Sequence, residues 1–281
     1  MKEIPGLDQM RAACAEVRRS GRTLGFVPTM GYLHDGHLAL VERARAEADV
    51  VAASIYVNPT QFAPGEDLAT YPRDPEGDRA KLEAAGCDIL FLPQSGDIYP
   101  DDFSTYVVME DISARYEGAF RPTHFRGVAT IVAKLFNIVG PDVAVFGQKD
   151  AQQVAVIRRM IRDLSYGIRL AVVDTVRDPD GLAMSSRNVY LSPEERHEAL
   201  SISAALRAGR ESISAGAGAQ QALERMRATL SPAITPDYID IIDPETFDHP
   251  ANGSGPLLGI FAGRVGRTRL IDNMRLDRVG G

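Results

Sequence analysis

Residues 27–40 read VPTMGYLHDGHLAL, with RTLGF immediately before them and VERARAEA immediately after. The approach, RTLGFVP, is a short apolar run of the kind that forms a buried strand. Residues 37–48 instead repeat apolar side chains at helical spacing. Between the two lie glycines at 31 and 36, so the unit reads strand, glycine-bearing turn, helix. His34 and His37 then stand at or near a helix N-terminus. Free backbone N–H groups and the positive end of the helix dipole converge there and favour anions, phosphates foremost.

The same alternation runs outward from this unit. DVVAASIYV (49–57) and CDILFLP (87–93) are apolar runs separated by helical residues 72–86. A helix follows at about 128–139, then a strand PDVAVFG (141–147), a helix at 151–164 and a strand IRLAVV (168–173). Strands that are continuously apolar belong to a parallel sheet covered on both faces. The expected fold is therefore α/β, a Rossmann-like parallel sheet with helices on both sides. STYVVME (104–110) reads as one further strand. Beyond residue 173 the character changes to a loop, TVRDPDGLAMSSRN, two helices (193–214 and 219–230, joined by SAGAGA), and strand signals in DYIDIID, LLGIFAG and TRLIDN. This predicts a larger domain over residues 1–174 and a smaller α+β C-terminal domain over 175–281.

Composition narrows the function classes. With 44% hydrophobic and 25% charged residues the chain is globular, and no apolar run is long enough to span a bilayer. MKEIPGLDQM is not a basic-then-apolar leader, so a soluble cytoplasmic protein is expected. A net charge of −7 argues against a surface that coats nucleic acid, which needs clustered Lys and Arg. Any anionic ligand must be held by local groups. Two cysteines, Cys14 and Cys87, show no metal spacing and read as small buried hydrophobes.

Ligands of open α/β sheets bind beyond the carboxyl ends of the strands. The polar stretches there are TMGYLHDGH after the first strand, NPTQF (58–62) after the second and GQKDAQQ (147–153) after the fourth. No GxxxxGK[ST] or GxGxxG occurs, so a phosphate would need another device. His34-Asp35-Gly36-His37 has the form HxGH. Its plain alternatives are a capping histidine beside a core histidine, or a zinc pair lacking further ligands. Lys149 and Asp150, at a strand-to-helix junction, suit a phosphate and a ribose hydroxyl, or else an ordinary cap beside a solvated lysine. Gln61 and Gln153 follow different strands, and neutral amides that donate and accept suit a small hydroxy acid. Met184-Ser185-Ser186-Arg187-Asn188 is a polar turn at the start of the second domain.

HxGH after a strand resembles the signature of the nucleotidyltransferase superfamily, and MSSRN resembles a degenerate form of its second phosphate-gripping loop. Taken in order, VPTMGYLHDGH, YVNPTQF, RPTHFRGVATIVAKLFNIVGPD, FGQKDAQQ, TVRDPDGLAMSSRN and TRLIDN resemble the pantoate–β-alanine ligase family over the whole chain. The resemblance implies an ATP-dependent condensation of (R)-pantoate with β-alanine to pantothenate, AMP and pyrophosphate through a pantoyl adenylate. It implies that Met30, Gly31, Tyr32, Leu33, His34, Asp35, Gly36 and His37 line the ATP site, with His34, His37 and Lys149 catalytic. Gly147, Gln148, Lys149, Asp150 and Val176 would contact the nucleotide, and Met184, Ser185, Ser186 and Arg187 would close over the triphosphate. Gln61 and Gln153 match pantoate ligands, with Asn58, Tyr71, Arg121 and His124 as further candidates for pantoate or β-alanine. Mg²⁺ is expected with ATP, Asp78 is a possible outer partner, and a homodimer through the first domain is implied. Where the family commonly has EKD, this chain has Gln148-Lys149-Asp150. Two other readings stay open: a related adenylyltransferase that leaves AMP on its product, and a nucleotide-binding regulatory module without chemistry.

Overall fold

The computed structural model describes residues 1–250 and 255–276. In chain order its strands and helices are β1 (Lys2–Ile4), α1 (Leu7–Arg19), β2 (Leu24–Thr29), α2 (Asp35–Glu47), β3 (Val50–Ile55), α3 (Pro75–Ala84), β4 (Ile89–Phe91), the one-turn α4 (Ser95–Ile98) and α5 (Glu117–Phe120), α6 (His124–Val139), β5 (Val143–Gly147), α7 (Ala151–Asp163), β6 (Arg169–Val173), α8 (Pro193–Ser214), α9 (Ala219–Thr229), β7 (Ile234–Ile242), β8 (Leu258–Val265) and β9 (Thr268–Arg275).

The first six strands form one parallel sheet in the order β1-β4-β3-β2-β5-β6. Successive strand residues point to opposite faces, and each face has its own apolar layer. Phe26, Ala52, Phe91 and Ala144 pack with α1, α6 and α7, whereas Val27, Val51, Ala53, Leu90 and Val145 pack with α2 and α3. That double burial is why the strands are continuously apolar, as the Rossmann-like expectation required. The sequence runs from β2 outward to β3 on one side and later returns to β5 on the other. The crevice thus opens between the carboxyl ends of β2 and β5, where the strand order reverses.

The smaller domain is an antiparallel sheet β7-β8-β9 backed by α8 and α9. Ser192 and Glu195 form a reciprocal capping box at the start of α8, with Pro193 at its first position. Ile242, Phe247, Leu258 and Ile260 join the apolar layer of the first sheet, so the domains share a core boundary.

Two expectations change. Residues 104–110 are extended but belong to no strand; the Val107 N–H donates to the Thr130 side chain instead of to a neighbouring strand. Conversely Lys2–Ile4 adds an edge strand beside β4, too short at three residues to show a period. The expected first, second and fourth strands are therefore β2, β3 and β5.

One close approach positions a functional turn. A Cβ on Gly127 of α6 would stand 2.4 Å from the Thr60 carbonyl oxygen and 2.6 Å from the Gln61 nitrogen, both backbone atoms. The Asn58 amide seals this contact by donating to the Gly127 carbonyl at 3.2 Å. Gly127→Ala must drive the helix from the turn, and we expect a loss of about 1–3 kcal/mol, the usual cost of overpacking, measured by urea unfolding. A stability within experimental error of the parent would show that the contact yields.

Candidate active site

A cleft of about 810 Å³ opens over the crevice. Its walls include Met30, His34, Gly36, His37, Asn58, Gln61, Tyr71, Arg121, His124, Gly147, Lys149, Asp150, Gln153, Val176 and Met184 to Arg187. Residues drawn from separate stretches of sequence thus face one space. Gly31, Tyr32, Leu33, Asp35 and Gln148 do not line it. The first four shape the turn, and the Gln148 amide instead donates to Asn273 Oδ1 at 3.0 Å.

The turn between β2 and α2 begins with two left-handed residues, Gly31 (φ +86°) and Tyr32 (φ +52°). Glycine adopts this conformation freely, but for tyrosine it is strained. Asp78 on α3 holds the strained backbone: its two carboxylate oxygens accept from the Tyr32 N–H at 2.8 Å and the Leu33 N–H at 2.6 Å. Lys81 adds a bond to the Leu33 carbonyl at 2.7 Å. Asp78 is 2% exposed with both oxygens engaged by this backbone. It is the anchor of the turn.

The two histidines cap α2 reciprocally. His34 Nδ1 accepts from the Gly36 N–H at 3.2 Å, and His37 Nδ1 accepts from the His34 N–H at 3.3 Å. A Cβ at position 36 would lie 2.8 Å from the His34 ring, so glycine is the residue that lets the imidazole fold back. Because each Nδ1 is an acceptor, the neutral ring carries its proton on Nε2 and has a donor left over. Burial, helped by Lys149, lowers the His34 pKa to about 4. Burial, then His34, Lys149 and Lys81, lowers that of His37 to about 3. At neutral pH the site therefore presents two neutral imidazole N–H donors, with Lys149 lining the same cleft. Capping and ligand binding do not compete here, since capping orients the donors.

Across the cleft, Ser185 caps its own turn by accepting from the Arg187 N–H at 3.2 Å. Ser186 donates to the Tyr32 carbonyl at 3.4 Å, which ties this loop to the histidine turn. The Met184 N–H donates to the Val176 carbonyl at 3.0 Å, so those two residues are brought side by side. The hydroxyl of neighbouring Thr175 is buried with no partner in the protein.

At the other end Gln61 is held on both sides. Its side-chain oxygen accepts from Asn58 Nδ2 at 3.0 Å, leaving its amide hydrogens toward Met30 and the cleft. Its backbone carbonyl accepts from His124 Nδ1 at 3.0 Å and from Arg121 at 3.2 Å. Burial and the adjacent Arg121 lower the His124 pKa to about 4. Arg121 is itself engaged by Glu66, at 2.6 and 2.7 Å. Arg121 and His124 thus frame Gln61 as well as facing the cleft.

Several residues that hold the site together were not singled out from the sequence, although Arg177, Arg269, Asp272 and Asn273 lie within the quoted TVRDPDGLAMSSRN and TRLIDN segments. Asp67 holds Arg187 through two bonds of 2.8 Å. Asn273 donates to the carbonyls of Gln148 and Lys149, both at 2.9 Å, fastening the β5 turn to β9. Arg177 pairs with buried Asp272 at 2.7 and 2.9 Å, and burial holds that carboxyl above its usual range. Glu117, 7% exposed, takes two bonds from Arg269 and one from the Tyr238 hydroxyl across the domain boundary. These partners lie scores of residues apart, and only the fold relates them.

Three histidines whose folded pKa values lie near 3 and 4 against about 6.5 when unfolded bind protons more readily in the unfolded chain. Their neutral forms cost nothing above pH 6.5, and the fold loses stability as pH falls from there toward 4. Thermal unfolding followed from pH 7 to 4.5 should show a falling midpoint, with a shallower slope in His37→Gln. An equal slope in that variant would remove His37 from this account.

The chain is similar over its length to proteins of one family. A family model described as pantoate-beta-alanine ligase matches residues 3–275. The pantothenate synthetase of Acidobacterium capsulatum is 50% identical over 290 residues, 98% of this chain and 97% of that protein. The crystal structure of pantothenate synthetase from Thermus thermophilus matches with a TM-score of 0.94 at 48% identity, over 99% of this chain and 100% of that one. The pantoate-beta-alanine ligase of Francisella tularensis, solved with beta-gamma ATP and beta-alanine, matches with a TM-score of 0.81 at 32% identity, over 98% of each chain. This chain belongs to the pantoate–β-alanine ligase family.

Proposed function

We propose that the protein condenses (R)-pantoate with β-alanine at the expense of ATP, releasing AMP and pyrophosphate through an enzyme-held pantoyl adenylate. The observation that carries this reading is that two phosphate grips, the His34/His37 helix cap and the Ser185–Arg187 turn, face one cleft with Lys149 and the glutamine pair beside them. The triphosphate lies between the two grips, and Val176 and Met184 meet the adenine. Asp150, at the start of α7, takes a ribose hydroxyl.

Pantoate is held by Gln61 and Gln153, with Asn58 fixing the orientation of Gln61. Tyr71, Arg121 and His124 complete the acid end, where β-alanine also enters. One pantoate carboxylate oxygen attacks the α-phosphorus, and the bond to the bridging oxygen of pyrophosphate breaks. The Nε2–H groups of His34 and His37, the Lys149 ammonium, the serine hydroxyls and Arg187 stabilise charge as it collects on the departing pyrophosphate. Because the resting imidazoles are neutral, they serve as donors already aimed rather than as stored protons. The β-alanine amine then attacks the activated carbonyl, loses a proton, and displaces AMP, which keeps the oxygen that came from pantoate.

Magnesium enters on the triphosphate in this reading. Among the described residues no group of three or more His, Cys, Asp or Glu side chains is arranged to hold a metal. Mg²⁺ keeps most of its water and takes phosphate oxygens, so in this reading it would be held through the triphosphate and not by a protein cage. When bound it neutralises phosphate charge.

Residues 175–281 act as a lid over 1–174, the division falling just after β6 ends at Val173. A cytoplasmic location fits the free, buried Cys14 and Cys87. The homodimer is assigned to residues 104–110, where Val108 is 66% exposed, Tyr106 is exposed as well, and the backbone belongs to no sheet. Val108→Asp should then sediment as a monomer at concentrations where the parent is a dimer. A dimer that survives this change places the contact elsewhere.

The route is tested with pantoate labelled with ¹⁸O in its carboxylate. AMP should carry one label and pyrophosphate none, with formation of unlinked AMP requiring both pantoate and β-alanine for turnover. Unlabelled AMP, or ADP and phosphate as products, would falsify the adenylate route. A product that retains AMP would favour the adenylyltransferase reading instead.

A further inference from the structure

Arg187 is the strongest anion ligand in the Ser185–Arg187 turn, yet its guanidinium is already occupied. Asp67 Oδ2 and Oδ1 accept from its Nε and one terminal nitrogen, both at 2.8 Å, with the two side chains 31% and 24% exposed. Two parallel bonds from a guanidinium edge to two oxygens of one anion match the geometry this group offers to phosphate. Asp67 lines the same cleft, on a segment fastened at both ends. Glu66, the preceding residue, holds Arg121 at 2.6 Å, and the Tyr190 hydroxyl donates to the Thr70 carbonyl at 2.9 Å. The carboxylate is therefore delivered to Arg187 by a braced stretch of chain.

We propose that Asp67 is a built-in surrogate for pyrophosphate: it occupies Arg187 when the β- and γ-phosphate positions are empty, yields to ATP, and returns as pyrophosphate leaves. This rests on the reading that Ser185–Arg187 grips the outer phosphates. Three consequences follow from charge and reach. A nucleoside triphosphate carries several charges against one on Asp67, so it displaces the carboxylate at a cost in affinity. AMP has no phosphate that reaches Arg187, so the exchange selects for triphosphate over product. After adenylate formation Asp67 competes for Arg187 and promotes pyrophosphate release. Asp67 is thus a positioning and specificity residue, acting on substrate only through Arg187.

The test is Asp67→Asn, which keeps size and one acceptor but removes the charge. In calorimetry with ATP and Mg²⁺ and no acid substrate, the dissociation constant should fall about five- to twentyfold, the equivalent of a partly buried ion pair no longer opposing binding. Pyrophosphate should inhibit more strongly by a similar factor, while AMP affinity stays within about twofold. In steady state KM for ATP and kcat should both fall, because pyrophosphate leaves more slowly. In an Arg187→Ala background the substitution should have no effect on ATP affinity. Unchanged or weaker ATP binding in Asp67→Asn overturns the proposal, and weakening confined to assays with Mg²⁺ would identify Asp67 as a metal ligand instead. Equal tightening of AMP also overturns it, since that would be general relief of negative charge. Dependence of AMP formation by the unmodified enzyme on both acid substrates is read separately, so failure of the ligase reading is distinguishable.

Discussion

For the proposed triphosphate site, the start of α2 must satisfy two demands at once: its free N–H groups need caps, and its positive end must stay open to a polyanion. Serine or aspartate would meet the first demand by closing the site. Imidazole meets both, because Nδ1 accepts from the backbone while Nε2, on the far side of the ring, still donates. This places the rings 4.1 Å apart, each with its charge disfavoured chiefly by burial. The turn that makes it possible is strained at Tyr32, and the strain is held by the buried Asp78 carboxylate. The turn that carries both histidines therefore depends on a carboxylate supplied by α3.

The remainder of the cleft is organised by charge pairs that join distant pieces of chain. Glu66 and Asp67 are consecutive, and they bind Arg121 at the acid end and Arg187 at the phosphate end. Glu117 binds Arg269, and Asn273 binds the Gln148-Lys149 backbone, so the smaller domain is tied to the larger at both ends of the cleft. In a protein with a net charge of −7, these cleft arginines are all paired with carboxylates.

Much of the architecture was legible in the sequence because local rules act within a few residues. Continuous apolar strands reported a doubly covered sheet, and the helix expected over 193–214 is α8, whose start the structure shows capped by Ser192 and Glu195. Residues 104–110 misled for a physical reason: an apolar extended run satisfies strand propensity, but a strand also needs a neighbour, and none lies beside it among the described residues. Lys2–Ile4 shows the reverse, since pairing with β4 makes a strand of three residues that carry no pattern.

For the site, the sequence by itself determined which chemistry was present: the HxGH spacing, the lysine and aspartate opening a helix after a strand, the paired glutamines and the MSSRN turn are local arrangements. The parallel order of β2 and β5 brought them into one crevice, and that order follows from how the helices cover the sheet. What only the tertiary structure decided is what each group is bonded to. The Asp78 carboxylate is turned onto the backbone of residues 32 and 33. Arg187 is held by Asp67, 120 residues earlier. A side chain's type and spacing are properties of a short stretch of chain. Its protonation and availability depend on desolvation and on partners brought within hydrogen-bond reach, and only the packed fold supplies those.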